Sequence, residues 1–376
     1  MHLIDTGGPG GAESLCLQLA TESLIPGTRS TAIVSREGWL STRLRERGIP
    51  PHILPSDGSF NIRYLLALTD VLRRQKAIAL LTHLYGSAVY GCMAGMALRL
   101  PVVSVLHGQT DIADLGRFQF GKAMALRHGA SRIVFVSDQL KNDVACKLRL
   151  PDFKCVVIHN GIDVDKYVPR RDASMRVSLG LGAEDILIGA LGNIRKPKAY
   201  DVLLDAAHLI CREYSNVYFV IAGQGSGALL NELLTQRARL NLERRVHFIG
   251  FCSNVQEFLN GIDIYALSST TEGFSISCIE AMACSVPVVA TRSGGPETIV
   301  SPGESGLLVR PGSATDLADA LRQLLASPEL RAKLGTSGRS RVLSSFDSKL
   351  MMNQYRTLLV DAIGSSSKLS DSLKDR

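Results

Sequence analysis

A repeated alternation constrains this chain more than any single residue does. Short apolar runs recur along it, separated by stretches with helical spacing. In the first half the runs are HLID, TAIVS, HILP, IALLTHL, VVSVLHG, RIVFVSD and CVVIHNGID. They read as short buried strands, with helices such as Glu13–Ser23 and Ile62–Gln75 between them. Strand–helix alternation of this kind points to a parallel sheet covered on both faces. The first half therefore reads as one doubly wound domain. A polar, basic break containing Pro169 covers Asp163–Ala183. The alternation then restarts with ILIGALGN, VYFVIAG, VHFIGF, IDIYALS, VPVVAT and GLLV, which predicts a second α/β domain. The expected organisation is an N-terminal domain over 1–165, a C-terminal domain over 166–345, an amphipathic helix over 346–363 and a frayed tail over 364–376. The chain opens almost inside its first strand, which leaves room for residues upstream.

Length and composition agree with two soluble domains. A chain of 376 residues fits two units of roughly 100–200 residues each. No apolar run reaches the ~18 residues of a membrane span, and the N-terminus lacks the order of a signal peptide. A cytoplasmic protein is expected. The eight cysteines form no CxxC pair, so they read as reduced core thiols and not as a disulfide frame or a zinc site. The net charge of +7 is spread over both halves, with 18 basic against 14 acidic residues up to residue 165 and 24 against 21 beyond. A nucleic-acid binder usually clusters such charge. The spread suits an anionic small substrate or a peripheral membrane contact at the inner face, and no nucleic-acid partner is expected. Arg73–Lys76 and Arg117–Arg132 are the stretches that could touch a membrane, although a solvated helix face is the plainer reading.

Chemistry concentrates in Ser268–Thr291, SSTTEGFSISCIEAMACSVPVVAT. A strand ends near Leu267, a small polar loop follows, and a helix opens around Ser275–Ser277 and runs to about Cys284. The unpaired N–H groups of a helix start make an anion site, and Gly273 lets backbone approach a ligand. Glu272 precedes the helix and Glu280 lies within it. Two carboxylates could be the acid pair of a glycoside hydrolase, which sits ~5–10 Å apart. Eight helical residues would place these about 12 Å apart, which suits two clamps on an extended ligand better. An ordinary N-cap acid and a surface glutamate would leave the same trace.

The pattern EGFSISCIE, followed by AMACSVPVVA and GGPETI, strongly resembles the retaining glycosyltransferases of family 4. Supporting segments occur in the family's order: GGPGGAE at 7–13, VLHG at 105–108, FVSD at 135–138, IHNGIDVDKY at 158–167 and GNIRKPKAYDVLLDA at 192–206. The resemblance covers residues 2 to about 360. It implies the GT-B fold, two doubly wound Rossmann-like domains facing across a cleft, with the last helix returning to the first domain. It implies a nucleotide-sugar donor (UDP- or GDP-sugar) and a saccharide, lipid-linked or small-molecule acceptor. No metal or other cofactor is expected.

The resemblance also implies roles. Lys198 matches the phosphate-binding lysine. The family's arginine position is Asn193 here, the glycine after the lysine is Ala199, and Arg195 is the candidate second cation. Glu272 would hold hydroxyls of the donor sugar, beside Gly273 and the N–H groups of Phe274, Ser275 and Ile276. Glu280 would hold the ribose. His107 would sit over the sugar, Gly10 and Gly11 would approach donor or acceptor, and Glu13 would cap their helix. Retention would let the leaving phosphate deprotonate the acceptor. Two other motifs look like decoys. Gly223, Gly225 and Ala228 spell a dinucleotide fingerprint, but not after the first strand of their domain. Asp163–Val164–Asp165 spells DxD at the domain junction. The rival readings are a glycoside hydrolase using Glu272 and Glu280, and a degenerate binder without catalysis.

Overall fold

The computed structural model describes residues 1–374 apart from Ser23, 57–60, 109–118 and Arg171, and for residues 119 and 366–374 it describes the backbone only. The chain divides into two compact units: Met1–Asn160 with Lys349–Arg376, and Gly161–Ser348.

In the first unit, β1 (His2–Ile4), β2 (Ala32–Val34), β3 (His52–Ile53), β4 (Leu80–His83), β5 (Val102–Leu106), β6 (Arg132–Phe135) and β7 (Cys155–Val157) form one sheet. Their order is β3-β2-β1-β4-β5-β6-β7, with every pair parallel. β4 and β5 are buried along their whole length, as strands with helices on both faces must be. The helix Tyr85–Leu98 lies close on this sheet. A Cβ at Gly91 would strike Thr82, and one at Gly95 would strike Val102.

In the second unit, β8 (Ile186–Leu191), β9 (Val217–Ala222), β10 (Val246–Gly250), β11 (Ile264–Leu267), β12 (Val288–Thr291) and β13 (Leu307–Val309) form a parallel sheet in the order β10-β9-β8-β11-β12-β13. Leu203, Leu204 and Ile210 of one helix and Leu317, Leu321 and Leu324 of another close its core around Phe219. Both sheets reverse their strand order once, between β1 and β4 and between β8 and β11. In open α/β sheets the crevice beyond the carboxyl ends of the strands at such a reversal takes the ligand.

All thirteen apolar runs of the sequence form strands. Three details differ from expectation. The division falls between Asn160 and Gly161, not at 165. The segment after it is stitched to the other end of the unit: Ile162 N–H donates to Phe346 O (2.9 Å), and Ser348 N–H to Ile162 O (2.8 Å). The final helix runs Ser348–Lys374, so residues expected to be a frayed tail are helical to Lys374, and the last two lie outside the described residues. Among the cysteines, Cys146 is exposed, not a core thiol. Arg73, Arg74 and Lys76 are exposed as a solvated face would be, with Arg74 paired to Asp70. Arg117 lies outside the described residues. Among the described residues no helix is long and apolar enough to cross a membrane.

Gly161 makes that stitching possible, because a Cβ there would lie 2.8 Å from Asp347 O and from the Ser348 backbone. Gly161→Ala is therefore expected to cost about 2 kcal/mol through forced backbone movement. Gly364→Ala, a helical site with open space around it, should be neutral or better. Urea unfolding midpoints of the two variants decide.

Candidate functional site

The site is built by the two loops that leave β8 and β11 at the order reversal of the second sheet. After β8, the chain turns through Gly192–Ile194, makes a single 3-10 turn at Lys196–Lys198 and enters the helix Tyr200–Glu213. After β11, the loop 268–275 leads to the helix Ile276–Ala283. Ser268 Oγ donates to Lys198 O (2.8 Å) and Thr270 N–H to Pro197 O (2.8 Å), so each loop sets the other. Lys198 Nζ meets Glu272 Oε1 at 2.7 Å, and Ser269 Oγ donates to the same oxygen at 2.6 Å. The two charged side chains are only 21% and 11% exposed. In so little water an ion pair is well felt. Gly192 leaves room for the lysine: a Cβ there would lie 2.8 Å from Lys198 Cε. Ala199 turns the chain into its helix with φ 46° and ψ 50°, the left-handed region.

Glu272 is also fixed through its backbone. Its N–H donates to Ser293 O (2.7 Å), and its carbonyl accepts from Gly295 N–H (3.0 Å). Here the GGPETI segment shows its purpose. A Cβ at Gly295 would lie 2.6 Å from Phe274 Cα, so only glycine lets the two loops touch. Glu297 accepts from Gly294 N–H (2.9 Å) and caps its own short helix. Phe274 packs edge-on against Phe346, with centroids 5.7 Å apart. Ser275 is the N-cap of Ile276–Ala283. Tyr265, fully buried on β11, donates to Ser277 Oγ at 2.7 Å and pins the helix start. A first helical turn presents N–H groups without intrahelical partners, beside Gly273 and next to the Lys198–Glu272 pair in sequence and bonding.

Glu280, one turn further in, has a separate environment. Burial pushes its carboxyl up to about 7, opposed by the hydrogen bond from Tyr167. Tyr167 Oη donates to Glu280 Oε1 at 2.6 Å. Arg339 holds Tyr167 in turn, donating to its backbone carbonyl at 2.9 Å. Each glutamate thus has its own partner.

Other sequence candidates have surroundings of their own. Asn193 accepts from Gln224 N–H through Oδ1 (3.2 Å), so it braces the loop after β9. Arg195 is exposed. Gly223 and Gly225 are glycines because a Cβ at either would strike Gly192–Ile194, which explains the dinucleotide-like spacing as loop packing. Asp163 Oδ1 accepts from the N–H groups of Asp165 (3.0 Å) and Lys166 (3.1 Å), so DxD is a turn. Tyr167, Tyr265, Ser268 and Ser269 were missed by sequence reasoning. Tyr167 stands in IHNGIDVDKY, but nothing local links it to a glutamate 113 positions on.

In the first unit, Gly10 caps the helix Gly11–Thr21, and the Glu13 carboxylate folds back across it where a Cβ would sit. Glu13 is the acidic residue of that helix's first turn. His107 follows β5 directly. Burial lowers its imidazole to about 3, so the ring is neutral at physiological pH.

Comparison with known proteins matches this arrangement in both units. Residues 9–166 match the family described as Glycosyltransferase Family 4, and residues 172–341 the one described as Glycosyl transferases group 1. N-acetyl-alpha-D-glucosaminyl L-malate synthase of Bacillus anthracis is 30% identical over 268 residues, covering 70% of this chain and 69% of the relative. D-inositol 3-phosphate glycosyltransferase of Corynebacterium jeikeium is 37% identical over 191 residues, 48% of this chain and 45% of the relative, so less than half of that protein is spanned. Anabaena HepE, solved in complex with UDP-glucose, superimposes with a TM-score of 0.86 at 23% identity, covering 96% of this chain and 100% of HepE. At that identity the likeness shows the fold.

The raised Glu280 makes a pH prediction independent of activity. Between about pH 4.5 and 7 the folded chain keeps a proton here that the unfolded chain releases, so this site makes stability fall as pH rises through that window. Glu280→Gln keeps the acceptor for Tyr167 and removes the titration. Relative to wild type, the variant should gain stability by about 3 kcal/mol between the two ends of the window. Urea melts at several pH values measure it; a constant difference would refute the assignment.

Proposed function

The chain belongs to glycosyltransferase family 4 and has its GT-B fold, and from that premise we propose that it moves a hexose-type unit from a UDP- or GDP-sugar to a hydroxyl acceptor with retention of configuration. The observation that carries the reading is the Lys198–Glu272 pair at the strand-order reversal, beside the start of the helix Ile276–Ala283. Breaking the bond between the sugar's anomeric carbon and the donor diphosphate leaves negative charge on the departing phosphate oxygen. A fixed cation and N–H donors directed there lower the barrier. Lys198 supplies the cation, with Arg195 as the second, and the first turn of Ile276–Ala283, entered through Gly273, Phe274 and Ser275, supplies the N–H groups.

In the ligand-free chain Lys198 neutralises Glu272. A diphosphate would take over the lysine and leave Glu272 free to accept from sugar hydroxyls. Glu280 would accept from the ribose hydroxyls in place of Tyr167. His107, neutral, is the residue of the first unit assigned to the reaction, as a hydrogen-bond donor and not as a charge. Gly10 and Gly11 offer backbone to donor or acceptor. With retention, the acceptor oxygen bonds the anomeric carbon on the face the phosphate leaves, and its proton passes to that phosphate. UDP-glucose is the first donor to try, since HepE was solved with it. For the acceptor, a surface polysaccharide, a lipid-linked saccharide or a small metabolite all fit. Two relatives are named for L-malate and D-inositol 3-phosphate compounds, and a small acidic acceptor would suit the net charge of +7.

A thermal-shift panel of nucleotides and nucleotide sugars tests the donor. A cognate one at 100 times its Kd should stabilise the fold by about 2.7 kcal/mol, and indifference to all of them would sink the reading. Lys198→Ala should lower kcat by about 10²–10³ while circular dichroism stays native, because Ser269 still satisfies Glu272. Wild-type turnover in that variant would remove Lys198 from the reaction.

A further inference from the structure

Three histidines of the first unit stand in one hydrogen-bonded file. His2 lies on β1, His83 ends β4 and His107 follows β5, on three neighbouring strands. His2 Nδ1 is 3.3 Å from His83 Nε2, and His83 Nδ1 is 3.4 Å from His107 Nε2. Ring centroids are 5.6 Å apart at both steps. His2 and His83 are buried, and burial keeps all three rings neutral.

A neutral imidazole carries one N–H, so a file with two such bonds must point the same way throughout. Either His2 Nδ1–H donates to His83 and His83 Nδ1–H donates to His107, or both bonds run in reverse. In the first case His107 carries its own proton on Nδ1. In the second it spends its N–H on His83 and has a lone pair left. Where negative charge grows on a leaving phosphate, an N–H donor helps and a lone pair does not.

We propose that His2 and His83 are positioning residues of the transfer reaction, a buried relay that holds His107 in its Nδ1–H form and leaves that N–H to serve the nucleotide sugar. This rests on the reading that His107 takes part in transfer. Neither residue would touch the substrate. Their effect passes through the tautomer and orientation of His107, which the partner on its other nitrogen decides.

The same place invites another explanation. Cys16 Sγ and one nitrogen each of His2 and His83 lie within 4.8 Å of one another. A zinc ion would need the thiol deprotonated, and burial pushes it the other way. The described cluster also offers three ligand atoms where structural zinc takes four. The relay accounts for the nitrogen spacing with no ion.

Long-range proton–nitrogen spectra of the protein carrying ¹⁵N-labelled histidine test the relay, with His107 assigned by His107→Gln. In wild type, His107 and His83 should both show a protonated Nδ1 and a bare Nε2. His83→Leu should mix the His107 tautomers and cut kcat about tenfold, with donor KM within about twofold. His83→Gln, whose amide can accept from His2 and donate to His107, should restore most of kcat. If His83→Leu does not fold, His2→Gln and the wild-type spectrum still decide. A His107 found as Nε2–H or averaged in wild type overturns the relay. So does a tautomer indifferent to His83→Leu, or stoichiometric zinc in the purified protein. If instead the tautomers behave as stated but His107→Gln transfers sugar at the wild-type rate, the part of His107 in transfer is wrong, and the relay loses its function with it.

Discussion

The ion pair between Lys198 and Glu272 is the contact on which the two loops of the candidate site converge. Either charge alone, so little exposed, would be expensive to keep ionised. Together, with Ser269 on the shared oxygen, they hold each other in place. That is the state a diphosphate sugar would have to meet: a cation and an acceptor already positioned, each needing only to exchange partners. The pair also ties the loop after β8 to the loop after β11, reinforcing the bonds donated by Ser268 Oγ and Thr270 N–H. Residues from two separated parts of the chain are thereby held to the small tolerance that polar recognition requires.

Close backbone approach is what makes this geometry possible, and it explains why the motifs are rich in glycine. Gly192 gives up a side chain to Lys198, Gly223 gives one up to the turn at Gly192, and Gly295 gives one up to Phe274. In each case the glycine serves a contact within the protein. A glycine in such a motif therefore need not touch a ligand itself. Gly223 and Gly225 show this most clearly, since their spacing copies a dinucleotide fingerprint while their surroundings are the Asn193 loop.

Most of the fold was readable because strand burial on both faces writes itself as continuous apolar runs. VVSVL and VVAT are buried at every position. The end of the last helix was not readable, because a small polar sequence such as GSSSKLSDSLK has no pattern to set helix against coil. The site was half readable. EGFSISCIE, Lys198 and His107 stand out because their chemistry is in the local sequence. Their partners are not local: Tyr167 reaches Glu280 from 113 positions away, and His83 reaches His107 from the neighbouring strand. Asn193 looked like a lost cation and is a brace, a role visible only once Gln224 is beside it.

Asn193 and Ala199 are what a degenerate, non-catalytic member would show. Ala199, however, keeps the left-handed backbone that a glycine would adopt without strain. For an alanine that conformation costs about 1 kcal/mol. A loop released from its task could relax by moving Ala199 to an ordinary conformation and letting Lys198 swing into water. Instead the strained turn persists, the lysine stays folded against Gly192, and its nitrogen remains 2.7 Å from Glu272. Backbone strain survives where the surroundings over-determine it, and such places cluster at ligand clamps.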